Sequence, residues 1–238
     1  MIFGETRIPG YNQPDVWEKA DRMLTEDYLM RYLRIATAAL AQMVGLKAAG
    51  LDQDALFLLD RTLEQLLGLR IDLIRSLNPH DLLSLLAEQD RMDPPLLATL
   101  GELFSGEADL LNRLNRPVDG LSSSIHSLNL YLEAWFQGAR DGDLEQKIAR
   151  ADAELQDKTL PEDILFSLFS YYREKGEDGA AFAGVADLLA LSGNLLDLVE
   201  LAREFYTELL GKTDQALAQA GLTRAEIQQA LDSLGAER

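Results

Sequence analysis

The stretch PEDILFSLFSYYREKGEDGAAFAGVADLLAL, Pro161 to Leu191, decides the fold. Leu165, Leu168 and Tyr172 recur at helical spacing on one face, and Gly176 provides a stop, because glycine closes a helix in left-handed backbone without strain. Ala181 follows five residues later. Its small side chain lets a second helix lie close against the first, so the stretch reads as a helical hairpin.

The same pairing of a stop with a small residue five positions on occurs twice before, at Gly50 with Ala55 and at Asn115 with Gly120. Helical periodicity fills the ground between, and no stretch alternates as a strand would. Glu26 to Ala49 places Tyr28, Tyr32, Ile35, Leu40, Met43 and Leu46 on one face, with Thr25 as the expected N-cap. Asp52 to Leu67 follows, with Leu56, Leu59, Leu63, Leu66 and Leu67 to one side and Asp60, Arg61 and Glu64 to the other. Asn78-Pro79 and Asp93-Pro94-Pro95 each combine a capping side chain with proline at the first helical position. The second of these opens a helix to about Leu114, and Val118 to Phe136 then turns Ile125, Leu128, Leu132 and Trp135 inward. Asp143 to Leu155 carries a thin stripe of Leu144, Ile148 and Leu155. Thr159-Leu160-Pro161-Glu162 and Thr223-Arg224-Ala225-Glu226 both spell a capping box. The fold class expected is therefore all-α: an irregular array of antiparallel hairpins near 26–67, 94–137 and 161–191, with further C-terminal helices in one domain spanning 25–238.

Composition narrows the function. A chain of 238 residues buries roughly 70% of the surface its unfolded state exposes, enough for a core without staples. Cysteine is absent and there are two histidines, so no disulfide framework or thiolate–imidazole metal cluster is expected, and a cytoplasmic location is the simplest reading. No apolar run has the length of a membrane span or a signal peptide. The 40 acidic and 22 basic residues give a net charge of -18, which repels nucleic-acid phosphate and anionic lipid. Neither nucleic acid nor membrane is expected as a partner.

Catalytic signatures are missing: no glycine-rich phosphate loop, no His-Glu-x-x-His, no Gly-x-Ser-x-Gly. No catalytic residue, metal ligand or cofactor is assigned, and the chain is expected not to be an enzyme. His80, next to Asp81, reads as a solvated first-turn residue, and His126 as a satisfied, partly buried imidazole. His126, Tyr131 and Trp135 offer the wall of an apolar pocket, although their spacing serves core packing equally well. Asp60 with Glu64, and Glu154 with Asp157, read as surface charge.

Leu168, Tyr172, Gly176 and Ala181 match the tetratricopeptide motif in order and spacing, with Leu165 where that motif commonly has Trp. Gly50 to Asn115 is 65 residues and Asn115 to Gly176 is 61, each close to twice the roughly 34-residue tetratricopeptide period. Phe169, Val185, Leu188 and Gly193 depart from the motif, which argues against regular superhelical stacking. From Glu26 onward the chain also resembles a bacterial family of uncharacterised tetratricopeptide-like proteins, through EDYLMRYLRIATAALAQMVGL, LDQDALFLLDRTLEQLLGL and GLTRAEIQQAL. The resemblance implies a module that binds a protein or peptide in a groove, with Asp163, Phe166, Ser170 and Arg173 at the groove positions. A sensor with an apolar ligand pocket is the alternative.

The first 24 residues read as an arm with a short helix. Ile8 to Pro14 should be extended or turned, with Trp17 opening the helix. An arm holding Tyr11 and Trp17 is expected to pack, either over its own first hairpin or across a homodimer.

Overall fold

The computed structural model describes the backbone of residues 14–192 and 195–234 and the side chains of residues 28–192 and 195–234. Among these the fold is all-α, with twelve helices and no strand. The extended arm with Tyr11 lies outside the described residues, as does the side chain of Trp17.

Helix α1 (Pro14–Ala48) runs unbroken through Thr25, which therefore does not cap it. It turns at Gly50 into α2 (Asp52–Leu67). A short helix not expected from the sequence, α3 (Ile71–Ser76), leads to α4 (Pro79–Glu88) and α5 (Pro94–Arg113). Asn78 and Asp93 cap these last two as their spelling requires, accepting from the backbone N–H of Asp81 and Leu96. Helices α6 (Pro117–Phe136) and α7 (Gly142–Leu155) follow, α7 capped by Asp141. The chain then continues as α8 (Glu162–Lys175), α9 (Asp178–Ser192), α10 (Leu196–Leu210), α11 (Asp214–Gln219) and α12 (Arg224–Ser233). Thr223 and Glu226 complete a reciprocal capping box on α12.

The expected box at Thr159 does not form, because Leu160 precedes a proline and is excluded from helical backbone. Leu160 is instead buried, and α8 starts at Glu162 with Pro161 as its cap.

The three stops share one hydrogen-bonding pattern. Gly50, Asn115 and Gly176 have φ of 73°, 60° and 73°. The N–H after each reaches back to a carbonyl of the preceding turn: Leu51 to Leu46, Arg116 to Leu111 and Glu177 to Tyr172. Ala55, Gly120 and Ala181, five residues on, are all buried. A Cβ on Gly120 would stand 2.6 Å from Asn112 Oδ1, at the end of a side chain that can turn away, and 3.3 Å from the Ala108 carbonyl oxygen, a tight contact with the α5 backbone. In the α8–α9 hairpin the small residue facing Phe169 comes from α9. Gly184 of α9 sits 3.6 Å from the Phe169 Cα, measured from an ideal Cβ position.

The buried side chains form two clusters. The larger draws on α1 through α8, and the smaller on α9 through α12. Helix α8 serves both: Ile164, Leu168 and Tyr171 belong to the larger cluster and Phe169 to the smaller. Its aromatics reach in both directions, Tyr171 standing edge-on to Trp135 at 4.9 Å and Phe169 edge-on to Phe205 at 5.3 Å.

Candidate functional site

A cleft of about 650 Å³ opens where the two clusters meet, within the size range of ligand and peptide sites. Asn78, Pro79 and His80 at the start of α4 form one wall, and Pro161, Glu162 and Asp163 at the start of α8 form another. Its apolar lining comes from Phe166 of α8, Leu188 of α9 and Leu198 of α10. Phe166 is 46% exposed, a large fraction for a phenyl ring.

Of the four groove positions, Asp163 and Phe166 line this cleft. Ser170 and Arg173 do not. The Ser170 hydroxyl donates to the Phe166 carbonyl at 2.8 Å. The Arg173 guanidinium donates to Glu208 at 2.8 Å and lies 5.8 Å from the Phe205 ring centre, so it ties α8 to α10.

His126, Tyr131 and Trp135 do not share a pocket, since positions five and nine residues apart on a helix point in divergent directions. His126 packs on Phe104 at 5.2 Å between ring centres. It is buried, and neither ring nitrogen makes a hydrogen bond of good geometry among the described residues, its one polar neighbour being the Ile74 backbone. Tyr131 covers Gly101 so closely that a Cβ there would be 2.5 Å from its ring. Trp135 lies between Tyr171 and the Arg140 guanidinium, the latter 4.1 Å from the ring centre.

His80 is exposed on the cleft wall. Glu154 pairs with Arg150 on the surface of α7. Asp60, by contrast, is not a surface charge. It accepts from Arg75 of α3 at 2.6 Å, and Arg75 also donates to the fully buried Glu107 of α5 at 2.5 Å. The Ser123 hydroxyl of α6 donates to the other Glu107 oxygen at 2.7 Å, and the Ser122 hydroxyl donates to the Arg75 carbonyl at 2.8 Å. Two carboxylates sharing one guanidinium is a structural knot joining four helices. Both acids are held by the same guanidinium, which fixes the relative positions of α2, α3 and α5.

Burial pushes Asp60 up to about 7; Arg75 opposes the shift and Glu107 adds to it. Burial pushes His126 down to about 4, against a weaker pull from the Ile74 backbone. These shifts act oppositely on stability. With Asp60 raised from 3.8, the folded state holds the extra proton between those values, so stability falls as pH rises through that window. With His126 lowered from 6.5, the unfolded state holds the extra proton, so stability falls as pH drops. Urea midpoints between about pH 4.5 and 6.5 should therefore diverge from the wild type in opposite senses. Asp60→Asn gains stability with rising pH relative to wild type, and His126→Leu loses it. Three parallel profiles would contradict both assignments.

Among the described residues no helix is long and apolar enough to cross a membrane, and no group of three or more His, Asp or Glu side chains is placed to hold a metal ion. Neither a curated protein nor a solved structure matches the chain. A family model does match, over residues 23–238, and on that evidence of near-complete coverage the chain belongs to DUF6483, a family of unknown function.

Proposed function

We propose that the protein is a non-enzymatic interaction scaffold of the bacterial cytoplasm, built as an irregular tetratricopeptide-like array and docking a segment of another protein. The observation that carries this reading is the cleft at the start of α8, where a half-exposed Phe166 stands beside apolar side chains of α9 and α10. Exposed aromatics in an apolar concavity are characteristic anchors of protein interfaces. The recurring turn geometry at Gly50, Asn115 and Gly176 supports the tetratricopeptide-like element.

The test is affinity capture from the source-cell lysate with the wild type and with Phe166→Ala. A partner held by the wild type and lost with the variant supports the scaffold. Retention of every captured protein by the variant overturns it at this site.

A further inference from the structure

We propose that the cleft at the junction of α4, α8, α9 and α10 docks a cationic amphipathic helix of another protein. Its apolar side chains would lie on Phe166 and Leu198, and its Lys or Arg side chains would reach Glu162 and Asp163. The proposal rests on the scaffold reading and adds the chemistry of the occupant.

Charge carries the argument. Three other clefts on the described surface each contain both signs: Arg91 stands with Asp90 and Asp93, Lys147 with Glu102, and Lys212 with Asp178. Their demands are met internally, as in the ion pairs of Lys147 with Glu102 and of Lys212 with Asp178. At the α8 cleft the lining holds Glu162 and Asp163 and no Lys or Arg. Both carboxylates are exposed, and neither has an ion-pair partner among the described residues. Helices α4 and α9 contain no Lys or Arg at all, the basic residues of α8 are confined to its last turn, and α10 carries one, Arg203, which is not part of the cleft lining. The two helix N-termini that face the cleft each offer about half a positive charge, and first-turn acids Asp81, Glu162 and Asp163 exceed that. The cleft is left negative.

Exposed leucines also stand at the facing ends of α9 and α10, outside the cleft lining. Leu191, one helical turn beyond the buried Leu188, and Leu195 and Leu196 at the start of α10 are 47%, 56% and 77% exposed. Exposed apolar side chains with two unpaired acids beside them match a helix bearing apolar residues at i, i+3, i+4 and i+7 and cations beside them. A second copy of this chain is disfavoured, because its own charge of -18 would face the same carboxylates.

The experiment uses the full chain and a fluorescein-labelled peptide of roughly 18 residues, long enough to form a helix, with Leu along one face and Lys elsewhere. A control peptide replaces every Lys with Glu. Fluorescence anisotropy at physiological salt is expected to show binding of the Lys peptide and none of the control. Glu162→Lys with Asp163→Lys should weaken binding about tenfold or more. Asp54→Lys with Asp72→Lys, an equal change in net charge at exposed sites outside the cleft lining, should leave it within about twofold. Circular dichroism checks that each variant is folded.

Equal loss in both charge-reversed pairs overturns the proposal, since attraction would then be diffuse. So does a wild-type dimer, seen by light scattering, that the Glu162 and Asp163 reversals abolish or strengthen, because the occupant is then a second copy. Failure of the Lys peptide while a lysate partner is still lost with Phe166→Ala overturns the cationic helix and leaves the scaffold standing.

Discussion

Arg75→Met is expected to destabilise the protein by about 3–5 kcal/mol, the usual result of removing one member of a buried ion pair. Glu107 has no exposed surface, and its remaining partner would be the Ser123 hydroxyl. Asp60 would lose its guanidinium in the same substitution. The cost is that of a stranded charge, not of a missing attraction. Adding Glu107→Leu to Arg75→Met should therefore recover a large part of the loss, because apolar replacements of buried ions are often neutral or better. Urea unfolding of the two single variants and the double variant measures this directly. A loss under about 1 kcal/mol for Arg75→Met, the range of an exposed pair, would show that water relaxes the site.

Phe169→Ala carries the second large effect, about 3–5 kcal/mol, typical of truncating a buried phenyl ring. Phe169 is buried, stands edge-on to Phe205, and has its backbone against Gly184. The cavity cannot collapse readily, because the helices on both sides are already at close approach. Phe57→Ala, at a ring 67% exposed on α2, should change stability by no more than about 0.5 kcal/mol. Comparable losses in the two variants, measured by thermal or urea unfolding, would contradict the assignment of Phe169 as the anchor of the smaller cluster.

Much of the helix layout was legible because its signals are local. Asn78-Pro79, Asp93-Pro94 and Thr223 with Glu226 are spelled in adjacent residues, and each cap forms. Gly50, Asn115 and Gly176 adopt the backbone their residue type favours. Helices α3 and α11, at six residues each, were not legible, since so short a segment shows fewer than two helical periods. The Arg75 knot escaped as well, because pairing across α2, α3 and α5 is a tertiary fact. One clue was present: Glu107 stands on the apolar face between Phe104 and Leu111, and a carboxylate there requires a buried partner.

The cleft was half legible. Motif spacing put Asp163 and Phe166 on a common face, but the walls supplied by α4 and α10 come from distant chain segments. Spacing also grouped Ser170 and Arg173 with them, while Arg173 is claimed by Glu208. Helix geometry alone separates His126 from Trp135, a distinction that the count of aromatics conceals.

Because α8 supplies side chains to both clusters, the order in which the chain leaves the ribosome has a consequence. Everything up to Leu160 can emerge with its helices formed, yet Trp135 still lacks the Tyr171 ring that packs against it. Translation of Glu162 to Lys175 takes roughly 1–3 s at ordinary elongation rates. Until then the larger cluster is an unfinished surface, exposed to chaperones and to neighbouring nascent chains. A ribosome stalled just short of α8 would present that uncovered face, and one stalled just beyond its exit would have covered it while Phe169 still waits for α9 and α10.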